Sequence, residues 1–204
     1  MDVGSGRLRN LVVTTLDLGA TTAGAFRIDG VLGYPFFATT VARIDVANRN
    51  MTFGPPGSLS LGGERIPIDL DRSFPEARVR LDGKTFAPFI FDTGNAAEVL
   101  LYKPFVDSHP GIAAFTAISR HSFGIGGETQ SYRTSIDELD IGSTSIFNAD
   151  TDVMLATSGA FADRFDAGNV GLGVLKNFVI TFDYQSGAMY VEHGSAFDDG
   201  RLRV

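Results

Sequence analysis

The chain contains no cysteine among its 204 residues, which excludes disulfides, thiolate metal sites and a cysteine nucleophile. That absence suits an oxidising or envelope compartment, so a periplasmic or secreted setting is the expectation. No basic cluster is present and the net charge is −7, a balance that speaks against a nucleic-acid partner. No apolar run is long enough to span a bilayer, so no transmembrane segment is expected. The opening Met1-Asp2-Val3-Gly4-Ser5-Gly6 lacks the apolar core of a signal peptide. His109, His121 and His193 stand apart, without the spacing of metal ligands. No Gly-x-Ser-x-Gly elbow exists for a serine hydrolase. Gly124-Ile125-Gly126-Gly127 is not followed by the Gly-Lys-Ser or Gly-Lys-Thr of a phosphate loop.

What is present is glycine, 24 residues of it, together with short runs of β-forming residues bounded by turn signals. The composition, 44% hydrophobic and 20% charged, is that of a globular protein with enough mass for one large or two small domains. Strands are predicted over 10–16, 41–46, 50–53, 66–70, 78–81, 86–91, 134–141, 153–155, 178–184 and 188–192. Asp82-Gly83 reads as a type I′ turn joining two of them into a hairpin. Short helical turns are expected after Gly33, at Lys103-Pro104, where proline suits a first turn, and after Gly173. The fold class that follows is all-β with short helices.

The run Phe89-Ile90-Phe91-Asp92-Thr93-Gly94-Asn95 is an apolar strand that ends in a carboxylate and turns at once on glycine. A strand holds Asp92 rigidly, and Gly94 lets the backbone bend close to it. Taken alone, such a triplet also suits an ordinary hairpin end. A second signal is an internal repeat. Val31-Leu32-Gly33 and a short helix lead into Val41–Phe53, and Gly171-Leu172-Gly173 and a short helix lead into Phe178–Val191. From Asp45 and Asp183 onward the copies align without a gap, Met51 opposite Met189. With Gly33 set against Gly173, the stretch before those aspartates differs by two residues.

Asp92-Thr93-Gly94, followed by Gly171-Leu172-Gly173 and a short helix, resembles the retropepsin-like aspartic peptidases, most of all their bacterial two-lobed members. The resemblance covers residues 64–192 as one lobe and 8–53 as the back half of another. It implies an acid-protease-like architecture, with 1–58 the C-terminal half of a first lobe and 59–204 a complete second lobe. It also implies peptide-bond hydrolysis by water activated between two Asp carboxylates, with no metal or organic cofactor. Like charges that close share one proton, and so divide into base and acid. By resemblance Asp92 is one of the two carboxylates. Thr93 would hydrogen-bond across the lobe interface, and the Gly94 amide would point at the carboxylate. Asn95 would orient Asp92, and Leu172-Gly173 would pack beneath the loop. The segment 121–131, with Gly124, Ile125, Gly126 and Gly127 at its centre, would be a flap that closes over a peptide or protein substrate. A surface hairpin without that task fits the same residues.

One element of the pattern is missing: the chain has a single Asp-Thr-Gly. The spacing of the second lobe would put its counterpart about 48 residues before Met1. Three arrangements stay open. A longer chain could carry the first Asp, two copies could each supply Asp92, or the lobe could bind peptides or dimerise without catalysis. The homodimer leaves the half-lobe's strand edges uncovered unless something else pairs with them.

Overall fold

A computed structural model describes residues 2–4, 6, 7, 9, 13, 14, 28, 30–113, 119–124, 127–197 and 200–203. Apart from residues 13 and 14, the strand expected over 10–16 lies outside them, as do the flap residues Ile125 and Gly126. The described chain is all-β, as expected. Its strands in order are β1 (Asp2–Val3), β2 (Gly6–Arg7), β3 (Val41–Asp45), β4 (Asn50–Gly54), β5 (Glu64–Pro67), β6 (Glu76–Leu81), β7 (Thr85–Phe91) and β8 (Val99–Tyr102). There follow β9 (Ser119–Gly124), β10 (Gly127–Ile141), β11 (Thr144–Met154), β12 (Gly168–Val170), β13 (Phe178–Asp183), β14 (Ala188–His193) and β15 (Leu202–Arg203). Among the described residues three short α-helices interrupt them, α1 (Tyr34–Phe37), α2 (Lys103–Ser108) and α3 (Leu172–Leu175), with 3-10 turns at Ala160–Ala162 and Tyr184–Ser186. The largest sheet runs β15-β11-β8-β12-β7-β6-β10-β9, and a second runs β4-β3-β13-β14-β5.

β6 and β7 form the expected hairpin. Asp82 and Gly83 both take positive φ, 48° and 65°, as a type I′ turn requires. β7 then alternates by the period of a strand: Ala87, Phe89 and Phe91 are buried, whereas Phe86, Pro88 and Ile90 face outward. Phe89 is fully buried, and burying such a ring contributes about 2–3 kcal/mol. β7 does not pair with the next strand, β8. The slot between them is filled much later by β12, parallel to β7 and antiparallel to β8. Gly168 is obligatory in that slot, because a Cβ there would stand 1.8 Å from Leu100 O.

The repeat is closer than the sequence alignment implies. Both helices are N-capped by a glycine of nearly identical geometry, Gly33 at φ −104° and Gly171 at φ −103°. Gly33 therefore matches Gly171, not Gly173, and the expected two-residue difference disappears. One constant offset relates Gly33 to Gly171, Tyr34 to Leu172, Asp45 to Asp183 and Met51 to Met189. The hairpins share a register, Asp45 opposite Asn50 and Asp183 opposite Ala188. They share a turn as well. Asp45 accepts from Asn48 N–H at 3.1 Å and Asp183 from Ser186 N–H at 3.3 Å, and a left-handed residue closes each, Arg49 at φ 52° and Gly187 at φ 58°. β3 and β13 pair antiparallel with Arg43 opposite Thr181, its own counterpart, so the two copies meet about a local twofold.

Several elements differ from expectation. β8, β12 and the two-residue strands β1, β2 and β15 were not predicted, and β9 was expected only as part of the flap hairpin. β10 and β11 extend well beyond 134–141 and 153–155 because they pair with each other over most of their length. α3 starts before Gly173, since Gly171 is its cap.

A candidate carboxylate site at the end of β7

Asp92 follows the last residue of β7, and its N–H donates to Val170 O of β12 at 2.9 Å. The central slot of the sheet thus fixes the backbone on which the carboxylate stands. Gly94 N–H donates to Asp92 Oδ1 at 2.8 Å, which turns one carboxylate oxygen back over its own loop. Asp92 is half-buried and Thr93 and Gly94 are exposed, so this tip of the loop faces outward. Thr93 makes no hydrogen bond among the described residues.

Asn95 does not hold the Asp92 carboxylate. Its side-chain amide donates to Asn169 Oδ1 at 2.6 Å, and its Oδ1 accepts from Ala97 N–H at 2.9 Å. Asn169 is buried in β12, and Tyr102, buried on the neighbouring β8, has its pKa raised chiefly by burial. A row of polar groups therefore runs from the loop into the protein.

Beyond Asn95 the loop rests on α3. The first amides of any helix lack an intrahelical acceptor. Here Leu172 N–H donates to Asn95 O at 2.7 Å and Gly173 N–H to Ala97 O at 3.0 Å, while Gly171 N–H donates to Glu98 O at 2.9 Å. Glycine is needed for the approach: a Cβ on Gly171 would stand 2.4 Å from Ala97 O, and one on Gly173 would stand 2.8 Å from Glu98 N. The support expected from Leu172-Gly173 therefore involves Gly171 as well. At its far end the loop is held by Glu98, whose carboxylate accepts from Asp150 N–H at 2.7 Å and pairs bidentately with Arg201 at 2.9 Å.

The flap segment contains a hairpin. β9 and β10 pair antiparallel from Tyr132 opposite Ser119 to Gly127 opposite Gly124, with Ile125 and Gly126 between. Among the described residues no group of three His, Asp or Glu side chains converges as a metal site. No helix of the described chain is long and apolar enough to cross a membrane.

Sequence reasoning missed Asn169, Tyr102 and Glu98. The signal that could have found Asn169 was a polar residue between Gly168 and Val170, directly before the repeat glycine.

No family model and no curated protein matches the chain. Among solved structures it is similar to a retropepsin-like aspartic protease from Rickettsia conorii, at 17% identity and a TM-score of 0.46, over 66% of this chain and 92% of that one.

Proposed function

We propose that the chain is part of an aspartic endopeptidase in which Asp92 supplies one of two carboxylates that activate water. The observation that carries this reading is the Asp92 loop itself. A carboxylate is offered outward from a backbone anchored on three sides, by Val170, by α3 and by Asn169. Such anchoring pre-organises a charged group for chemistry, where a plain surface turn has no need of it. The pair would hold one proton between two oxygens. The ionised member would take a proton from water as that oxygen attacks the peptide carbonyl carbon, and the protonated member would give its proton to the carbonyl oxygen. Thr93, exposed and without a partner among the described residues, would bond across to the second carboxylate's loop. Gly124, Ile125, Gly126 and Gly127 would cover the bound peptide together with Asn95's loop.

In this reading residues 1–58 belong to a first lobe and 59–204 form the second. The second carboxylate would arrive on a loop resting on α1 as the Asp92 loop rests on α3, or from Asp92 of another copy. The competing reading, a catalytically inactive peptide-binding or dimerisation module, is favoured by one observation: the described chain holds one such loop. Asp92→Asn separates them in the protein isolated from its source. The peptidase loses at least a thousandfold in cleavage of an unfolded protein substrate with its melting temperature unchanged. Unaltered cleavage by Asp92→Asn contradicts the mechanism, and no cleavage by either form supports the binding module.

A further inference from the structure

The segment Asp163-Arg164-Phe165-Asp166, just before β12, closes on itself through Phe165 N–H donating to Asp163 Oδ1 at 3.0 Å. Arg72, on the loop between β5 and β6, donates to the carboxylates of both Asp163 and Asp166. Its Nη2 also lies 2.8 Å from Glu76 Oε1. One guanidinium thus fastens two loops together over a buried carboxylate. What this clamp presents to solvent is aromatic. Phe165 is 76% exposed, and Phe86, on the outward face of β7, is 58% exposed. The guanidinium of Arg72 lies 5.3 Å from the Phe165 ring centroid, and that of Arg78 lies 5.7 Å from Phe86.

Between these rings is a cavity of about 390 Å³, walled by Pro88, Pro104 and Phe105 and bordered by Arg164. Leaving two phenylalanines largely in water forgoes the stabilisation that burying them would bring. Ordering the segment that carries one of them makes sense where a partner covers it, because a pre-ordered aromatic next to arginine is the make-up of a binding hot spot. Charge narrows the partner. Among the described residues neither Arg78 nor Arg164 has a carboxylate in ion-pairing range, in a chain whose net charge is −7. The cavity would accept one bulky side chain, and the Arg164 guanidinium at its border calls for an anion beside it.

We propose that this groove docks an extended segment of another protein in which a bulky apolar side chain stands next to carboxylates, the side chain entering between Phe86 and Phe165 and a carboxylate meeting Arg164. Phe86 precedes Asp92 on the same strand by about 20 Å, at roughly 3.3 Å per residue. The Phe86 end of the groove is therefore remote from the Asp92 loop. A protein held there would present its other segments to Asp92 at high effective concentration. Only that consequence rests on the proposed hydrolysis.

The test is an NMR titration of the ¹⁵N-labelled protein with acetyl-Glu-Glu-Phe-Glu-Glu-amide, with controls carrying Ser for Phe or Lys for Glu. Saturable shifts at Phe86, Phe105, Arg164 and Phe165 are expected, weakened at least fivefold in either control and by Arg164→Glu. No saturable shift, or equal binding of the controls, overturns the proposal. N-acetylphenylalanine binding as tightly as the pentapeptide would make the groove a small-molecule pocket. Concentration-dependent shifts at these residues without peptide would assign the face to a second copy. Either result also overturns it, and none depends on cleavage being observed.

Discussion

Helices α1 and α3 are one element at one offset, yet their surroundings differ. Around α3 the loop 92–98 is packed so closely that Gly171 and Gly173 have no room for a methyl group. Around α1, among the described residues, nothing stands within 3.9 Å of a Cβ built on Gly33, and the nearest atom is Pro35 Cδ of the helix itself. Among the described residues no carbonyl meets the amides of Gly33 and Tyr34, and Val31 beside them is 68% exposed. Leu172 and Gly173 each give an N–H to the loop, but the counterpart of Gly173 is Pro35, which has none to give. The two helices and their glycine caps share one geometry, and among the described residues only α3 carries a loop upon it. What the loop adds is a carboxylate, and only the second copy displays one among the described residues.

The largest expected effect sharpens that contrast directly. Gly171→Ala forces a methyl into Ala97 O and should cost about 3 kcal/mol or more, whereas Gly33→Ala should fall within about 0.5 kcal/mol of wild type. Urea midpoints for the two variants check the pair. Equal losses would mean that α1 carries a covering segment like that on α3.

The loops joined by Arg72 give the next effect. Burial raises the Asp166 carboxyl to about 7, with Glu76 adding to the rise and Arg72 opposing it. The folded state therefore binds a proton that the unfolded chain has released. Stability from this group is full below pH about 4 and declines as pH rises toward 7, by on the order of 2–4 kcal/mol. Asp166→Asn should flatten that decline in a series of melting curves. Asp163 moves the other way. Burial raises its pKa, but the Phe165 amide and Arg72 outweigh that and lower it, so its contribution is lost only at more acid pH.

A smaller loss follows from Asn169→Leu, which leaves the Asn95 amide without its acceptor and should cost about 1–3 kcal/mol. Hydrogen exchange should locate the damage at the amides of Ala97, Leu172 and Gly173 and spare β13. The smallest effect compares the two hairpin turns. Gly187 takes a positive φ freely, whereas its counterpart Arg49 does so at a cost, so Arg49→Gly should stabilise by about 0.5–1 kcal/mol in denaturant titrations.

Much of this was legible before the structure. β3, β4, β13 and β14 announced themselves because each hairpin joins two β-forming runs through an Asp-started turn, and β6 and β7 because Asp82-Gly83 permits one tight reversal. Asp92 was legible because a strand, a carboxylate and a glycine are contiguous. β12 was not, since Gly168-Asn169-Val170 has little strand propensity of its own. It is a strand because β7 and β8 leave a slot only a glycine can enter. Asn169 was hidden with it, and so the orientation expected of Asn95 toward Asp92 gave way to a bond into the core. β8 was missed because all four of its residues are buried, which removes the alternation that marks a half-buried strand. The Arg72 clamp joins residues 94 positions apart, beyond any local pattern.

The most direct measurement is a ¹³C-detected titration of the Asp92 side-chain carboxyl in the protein isolated from its source. A carboxylate that shares a proton with a second one titrates in two macroscopic steps, and the account predicts that Asp92 does so. A single simple step would show that no second carboxylate faces Asp92, and would contradict the proposed dyad.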